Sequence, residues 1–348
     1  MGSSIEQRKS EHVAIVLGSD VAGRVKTGFE HVRFAHVALP EIALADIDLT
    51  STFLGHSLRA PMLISSMTGG PAHAASVNRA IAMAAGHHRI AFGVGSQRIA
   101  LEQGAGHGFD RSLRDLAGDV PILANFGAGQ LMAWDGADMA RRAIDMIDAD
   151  ALIVHLNPLQ EAVQRGGDTD WRGLLGKIEQ LARSSPRPLV VKEVGFGISG
   201  RIARRLSDAG VTIIDVAGAG GTNWASVEAE RADNAAEREV AAVFSSWGVP
   251  TLDCLLDVRA HCPHSTIIAS GGLIDGLDCA RAVRMGADLV GVAAGVLKAA
   301  TEGPEALISR LDVIIRQWHV VAFATGSGTL QDLRSAELLP PHRFGAQT

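Results

Sequence analysis

Within seven residues, in HLNPLQE, the chain places an imidazole (His155), two carboxamides (Asn157 and Gln160) and a carboxylate (Glu161). The apolar run Ala151–Val154 leads directly into them. An imidazole and an amide can hold an anion, and a carboxylate can hold a hard cation. One carboxylate among amides is a poor zinc or calcium site. It suits Mg2+, which takes one or two carboxylates and completes its shell with water and substrate phosphate. A glutamate in the first turn of a helix is also favoured by the helix dipole alone, so both readings of Glu161 stand at this level.

Lys192 raises a similar question. It follows Leu189–Val191 in PLVVKEVG, and a lysine in a buried strand needs a partner. It could face a delocalised anion such as the N1/O2 edge of a reduced flavin, or pair with the adjacent carboxylates. Thr68, Ser96 and Asn125 could meet the other polar edges of such a ring. Gly271 and Gly272 in ASGGLIDG, and Ala294 and Gly295 in GVAAG, offer backbone amides with little side chain in the way. That pattern suits a phosphate, although glycines also simply turn corners. Near the N-terminus, Arg8 and Lys9 stand beside His12, a charge pair that is ordinarily solvated unless an anion lies nearby.

The elements that must position these residues recur along the chain. Short apolar runs occur at 61–66, 89–95, 120–126, 149–156, 188–195, 211–218, 265–272 and 287–294. They are rich in Val, Ile and Leu without strict alternation, as parallel strands covered on both faces must be. Between them lie helical patterns such as SGRIARRLSDAG, with Ser199 to cap it and Gly210 to stop it, and DGLDCARAVRMGAD. Eight such units predict a (β/α)8 barrel, with an open doubly wound sheet as the structural alternative. In a barrel the chemistry gathers at the C-terminal strand ends, where the residues above fall. Two stretches break the spacing. Residues 1–60 form an N-terminal extension before the barrel domain of 61–348, and about 218–249 form a long insertion after the sixth strand. The insertion reads either as a lid or as a surface helix.

The bulk properties narrow the classes. The 348 residues are 47% hydrophobic and 20% charged, with net charge −6 and three cysteines. There is no general pull toward nucleic acid or anionic membrane, and no Cys-x-x-Cys, so neither a zinc cluster nor a disulfide framework is expected. VAIVLG is too short for a signal-peptide core, and no stretch is long enough to span a membrane. A cytoplasmic protein acting on a small molecule is the expectation.

Taken together, RKSEH, SSMTGG, FGVGSQR, NFGAGQ, HLNPLQE, VKEVGFGIS, GAGGTNW and ASGGLIDG resemble, in order, the type 2 isopentenyl diphosphate isomerases, the FMN-dependent ones. The resemblance runs from Arg8 to Gly295. It implies a (β/α)8 barrel, Mg2+, and FMN that must be reduced, typically by NADPH, in a homotetramer or homo-octamer. It implies FMN contacts from Met67, Thr68, Ser96, Asn125, Lys192, Thr222, Gly271, Gly272, Ala294 and Gly295. Arg8, Lys9, Ser96, Arg98, His155 and Asn157 would meet the substrate diphosphate, with Mg2+ on Glu161. Gln160 would sit near the reacting carbons, and Trp224 would close over the hydrocarbon. One departure is Ala217 in DVAGAGG, where many members carry a serine to the FMN phosphate. Its absence costs one hydrogen bond, about 1 kcal/mol.

Moving a double bond by one carbon needs a proton added at one carbon and removed at another. The strand ends hold few ordinary acid/base groups, which points to the reduced flavin, through N5, as donor and acceptor, with Lys192 stabilising its anion. The alternative is an FMN-dependent oxidoreductase of the 2-hydroxy-acid oxidase type. That chemistry asks for a His–Arg pair at the sixth strand end, and GAGGTNWAS has neither.

Overall fold

Eight parallel strands close on themselves. They are β3 (Met62–Ile64), β4 (Ala91–Gly93), β5 (Ile122–Gly127), β6 (Ala151–Leu156), β7 (Leu189–Glu193), β8 (Ile213–Asp215), β9 (Thr266–Ala269) and β10 (Leu289–Val292). They follow chain order round the barrel, and β10 pairs back onto β3. The computed structural model describes residues 5–19, 21–67, 72–104 and 108–340. Each apolar run noted in the sequence carries one barrel strand, and the open-sheet alternative is excluded by the closure.

The lack of alternation has a plain cause. Leu63, Ala91, Leu123, Ile153, Val190, Ile213, Ile268 and Leu289 fill the barrel interior, while Ile64, Phe92, Leu152, Val191 and Val290 pack outward under the helices. Away from their C-terminal ends the strands are therefore covered on both faces. Side chains cap both of the helices named above. Ser199 Oγ accepts from Ile202 N, and the Asp275 carboxylate accepts from Leu277 N and Asp278 N.

One element was not legible beforehand. An antiparallel hairpin, β1 (Ser51–Phe53) and β2 (His56–Leu58), packs Phe53 and Leu58 into the same interior cluster. His56 ties it to the strand starts, with Nδ1 2.9 Å from Asp119 and Nε2 3.4 Å from Asp150. The last part of the N-terminal extension thus stoppers the end of the barrel opposite the polar strand ends.

The same end carries a repeated clasp. Arg114 donates to the carbonyls of Gly118, Val120 and Asp148 and to Asp150 Oδ2 at 2.6 Å, and that carboxylate accepts from Ile122 N. Arg259 donates in the same order to Pro263, Ser265, Gly286 and Asp288 Oδ2, which accepts from Ile267 N. The first clasp joins β5 to β6 and the second β9 to β10, half a turn apart in the barrel. An arginine fork satisfies several orphan strand-start carbonyls at once, which explains its use where loops must be short and buried.

Candidate active site

A cavity of about 560 Å³ opens at the C-terminal strand ends, within the range of small-molecule and cofactor sites. Of the residues singled out above, it is lined by Arg8, Lys9, Met67, Ser96, Arg98, Asn125, His155, Asn157, Gln160, Glu161, Lys192, Thr222, Trp224, Gly271, Gly272 and Ala294. Gly295 is not among the lining residues; it packs on Ile274, with its carbonyl accepting from Arg310 Nε. Thr68 lies outside the described residues.

The floor is polar and incompletely satisfied. Ser65 and Ser66 follow β3, and both hydroxyls are buried without a hydrogen-bond partner among the described residues. A buried hydroxyl without a partner costs about 1–3 kcal/mol, and these two face the cavity with hydrogen-bonding capacity to offer a ligand. On one side Lys192 Nζ lies 3.4 Å from Asp215 Oδ2 and donates to the Glu193 carbonyl at 2.9 Å. Asp215 Oδ1 accepts from Ser270 Oγ and Ala217 N. Register places Lys192 opposite Asp215 on β8, so the lysine's partner comes from the next strand. The neighbouring Glu193 turns away: its Oε2 accepts four backbone N–H groups, from Val194 to Gly197.

Beside them, the loops after β8 and β9 meet backbone to backbone. Gly271 (φ +106°) and Gly272 (φ +81°) press against Gly218 and Gly220, where a Cβ would collide. Thr251 Oγ1 holds the Gly271 carbonyl at 2.6 Å.

The mouth is cationic. Lys9, on the helix Ile5–Gly18, donates to the Ser96 carbonyl at 3.0 Å. Burial, then the neighbouring Arg8 and Arg98, push its ammonium down to about 7. Burial also lowers Arg8, against the opposing pull of Glu161 and Glu228. Arg98 bonds Glu102 at 3.0 Å and lies 3.6 Å from Asp168. Glu161 is half-buried: Oε1 accepts from Asn157 Nδ2, and Oε2 accepts from Gln164 Nε2 and Asp168 N. Among the described residues no three His, Cys, Asp or Glu side chains converge as a metal cage.

The insertion supplies what the sequence reading missed. Asn223 caps the helix Trp224–Arg231, and Trp224 stacks edge-on with His12, ring centroids 5.2 Å apart. Four residues along that helix, the buried Glu228 accepts from Gln160 Nε2 (3.1 Å) and Arg231 (2.6 Å), and lies 2.9 Å from His12 Nε2. Burial works to raise the Glu228 carboxyl, but the hydrogen bonds and charges of His12, Gln160 and Arg231 outweigh it and the pKa is lowered. Nothing in VEAERADN marks this glutamate, apart from its distance of one helical turn from Trp224. Gln130, also unforeseen, lines the cavity while holding Gly127 N and Asp168.

These features fit flavin mononucleotide: unpartnered hydroxyls and a lysine for the ring edges, and glycine backbone at the last strand ends for the phosphate. The single half-buried carboxylate fits a Mg2+ that arrives with a phosphate-bearing ligand.

Comparison with known proteins bears on the same point. Residues 137–339 match the family model for FMN-dependent dehydrogenases. The chain is 55% identical to the isopentenyl-diphosphate delta-isomerase of Stutzerimonas stutzeri (strain A1501), over 97% of each protein. It is 50% identical to that of Nostoc sp. (strain PCC 7120), over 94% of each. Among solved structures, a mandelate oxidase variant superposes with a TM-score of 0.65 at 16% identity, covering 97% of this chain and 99% of the oxidase, a likeness of fold alone. The barrel, its polar mouth and these relatives together place the chain in the isopentenyl-diphosphate delta-isomerase family, within the FMN-dependent dehydrogenase class of barrels.

Proposed function

We propose that the protein interconverts isopentenyl and dimethylallyl diphosphate, with reduced FMN on the cavity floor and Mg2+ at Glu161. The observation that carries this reading is the convergence of Arg8, Lys9 and Arg98 on one cavity, which Glu161 and Lys192 also line. FMN would be held by Met67, Thr68, Ser96, Asn125, Lys192, Thr222, Gly271, Gly272, Ala294 and Gly295. When bound and reduced, it would supply the proton donor and acceptor. The chain's own residues do the rest. Lys192, itself anchored by Asp215, sets positive charge against the flavin edge. Arg8, Lys9, Arg98, His155 and Asn157 hold the diphosphate far from the reacting carbons, so its binding energy goes into positioning. Gln160, oriented by Glu228, and Trp224 close on the hydrocarbon and keep water out.

The test is an anaerobic assay of the FMN-loaded protein with isopentenyl diphosphate, Mg2+ and NADPH. Dimethylallyl diphosphate should form only when the flavin is reduced, and with solvent deuterium in the product. Product without reduced flavin, or without deuterium, overturns the mechanism, and flavin reduction by a 2-hydroxy acid instead would favour the oxidase. Turnover unchanged in Glu161→Ala overturns the metal assignment.

A further inference from the structure

The hydrogen bonds around His155 fix where its proton sits before any ligand arrives. Asn125 Nδ2 donates to the Val94 carbonyl at 3.1 Å, an oxygen that can only accept. The other end of that amide, Oδ1, therefore lies against His155 Nδ1 at 2.9 Å, and Nδ1 must carry the N–H. The Asn125 backbone N–H donates to Gln97 Oε1, and Gln97 Nε2 donates to the Ala143 carbonyl. Turning over either amide would set two acceptors face to face, so the chain Gln97–Asn125–His155 has one orientation.

Nε2 is left over. It passes the bare Cα of Gly127 and has no hydrogen-bond partner among the described residues, while its ring lines the cavity. The charged groups acting on it are Lys192 on β7 and Lys9 on the N-terminal helix. Burial first, then these two cations, push the imidazole down to about 3. The free ring is neutral, and its open nitrogen is a lone pair.

We infer that a diphosphate enters this site together with one proton, held on the line between His155 Nε2 and a phosphate oxygen. The inference rests on the isomerase reading for the identity of the ligand. A bare Nε2 and an ionised phosphate oxygen are both acceptors and repel one another. A hydrogen bond joins them only when a proton from solvent is added, as imidazolium or as P–O–H, and no covalent bond changes. The proton returns to solvent when the ligand leaves. Substrate and product, both diphosphates, are released more easily as pH rises. The sequence assigned His155 to the diphosphate and Asn125 to the flavin; their mutual bond makes Asn125 the positioning residue for this contact.

Calorimetry of the FMN-loaded full chain with Mg2+ tests it, with isopentenyl diphosphate and inorganic diphosphate as separate titrants. Run near pH 8 in buffers of different ionisation enthalpy, wild type should take up about one proton more than His155→Gln, and its affinity should fall about tenfold more steeply per pH unit than that of the variant. Lys9 also titrates in this range, so Lys9→Met is the control: it must keep the His155 proton. Zero uptake by wild type, or equal uptake by His155→Gln, overturns the inference. Uptake with inorganic diphosphate but no binding of isopentenyl diphosphate supports the inference and overturns the substrate assignment. Binding of neither overturns both.

Discussion

Gln160 Nε2 donates to Glu228 Oε1 at 3.1 Å, a contact between residues 68 apart in the chain. The amide end of Gln160 is thereby committed, and its oxygen meets Asn157 Nδ2 at 3.2 Å. Glu228→Gln keeps the shape and removes the charge that pairs with Arg231. We expect kcat to fall about 100-fold with FMN retained, because a misoriented Gln160 no longer positions the reacting carbons. Steady-state kinetics beside the flavin absorbance of the purified variant checks both halves.

Lys192→Met should damage both the cofactor site and the fold. It strands Asp215, only 1% exposed, with two hydrogen-bond donors but no cation. Breaking a buried pair from one side costs roughly 3–5 kcal/mol. The double variant Lys192→Met/Asp215→Asn should recover part of that loss in urea denaturation, while FMN affinity stays low. Full recovery of FMN binding in the double variant would show that the lysine matters only through Asp215.

Two buried groups pull the pH dependence of stability in opposite directions. Burial raises Glu193 from 4.5 to about 7, despite its four amide donors. The folded state then keeps a proton that the unfolded chain releases, so this group lowers stability as pH rises from 4.5 to about 7. His155 is lowered from 6.5 to about 3, so the unfolded chain binds a proton the folded state refuses, and stability rises with pH across that window. Melting temperatures of ligand-free protein across pH should therefore climb more steeply in Glu193→Gln than in wild type. In His155→Gln the climb should flatten or reverse.

The two arginine clasps predict equal effects from distant substitutions. Arg114→Ala and Arg259→Ala each leave three carbonyls and a carboxylate short of a donor. Each should lower the unfolding free energy by about 2–4 kcal/mol. Turnover per bound FMN should be unchanged, since both lie at the end of the barrel away from the cavity. Chemical denaturation of the two variants side by side shows whether the clasps are equivalent.

The sequence by itself determined the barrel and the ring of polar strand ends. A parallel strand dry on both faces must be a continuous apolar run, and the residue after it must face the site or the solvent, so both are written locally. The cap at Ser199 was legible for the same reason, since a cap is satisfied within four residues. Tertiary structure alone decided the partners. Lys192 had a carboxylate beside it in sequence, Glu193, yet pairs with Asp215 because strand register, and not adjacency, sets which side chains share a face. Glu228 and His12 reach Gln160 from the insertion and the N-terminal helix, and the 51–58 hairpin stoppers the far end of the barrel. Periodicity records that a side chain is buried. Which distant side chain meets it there depends on closure of the whole barrel.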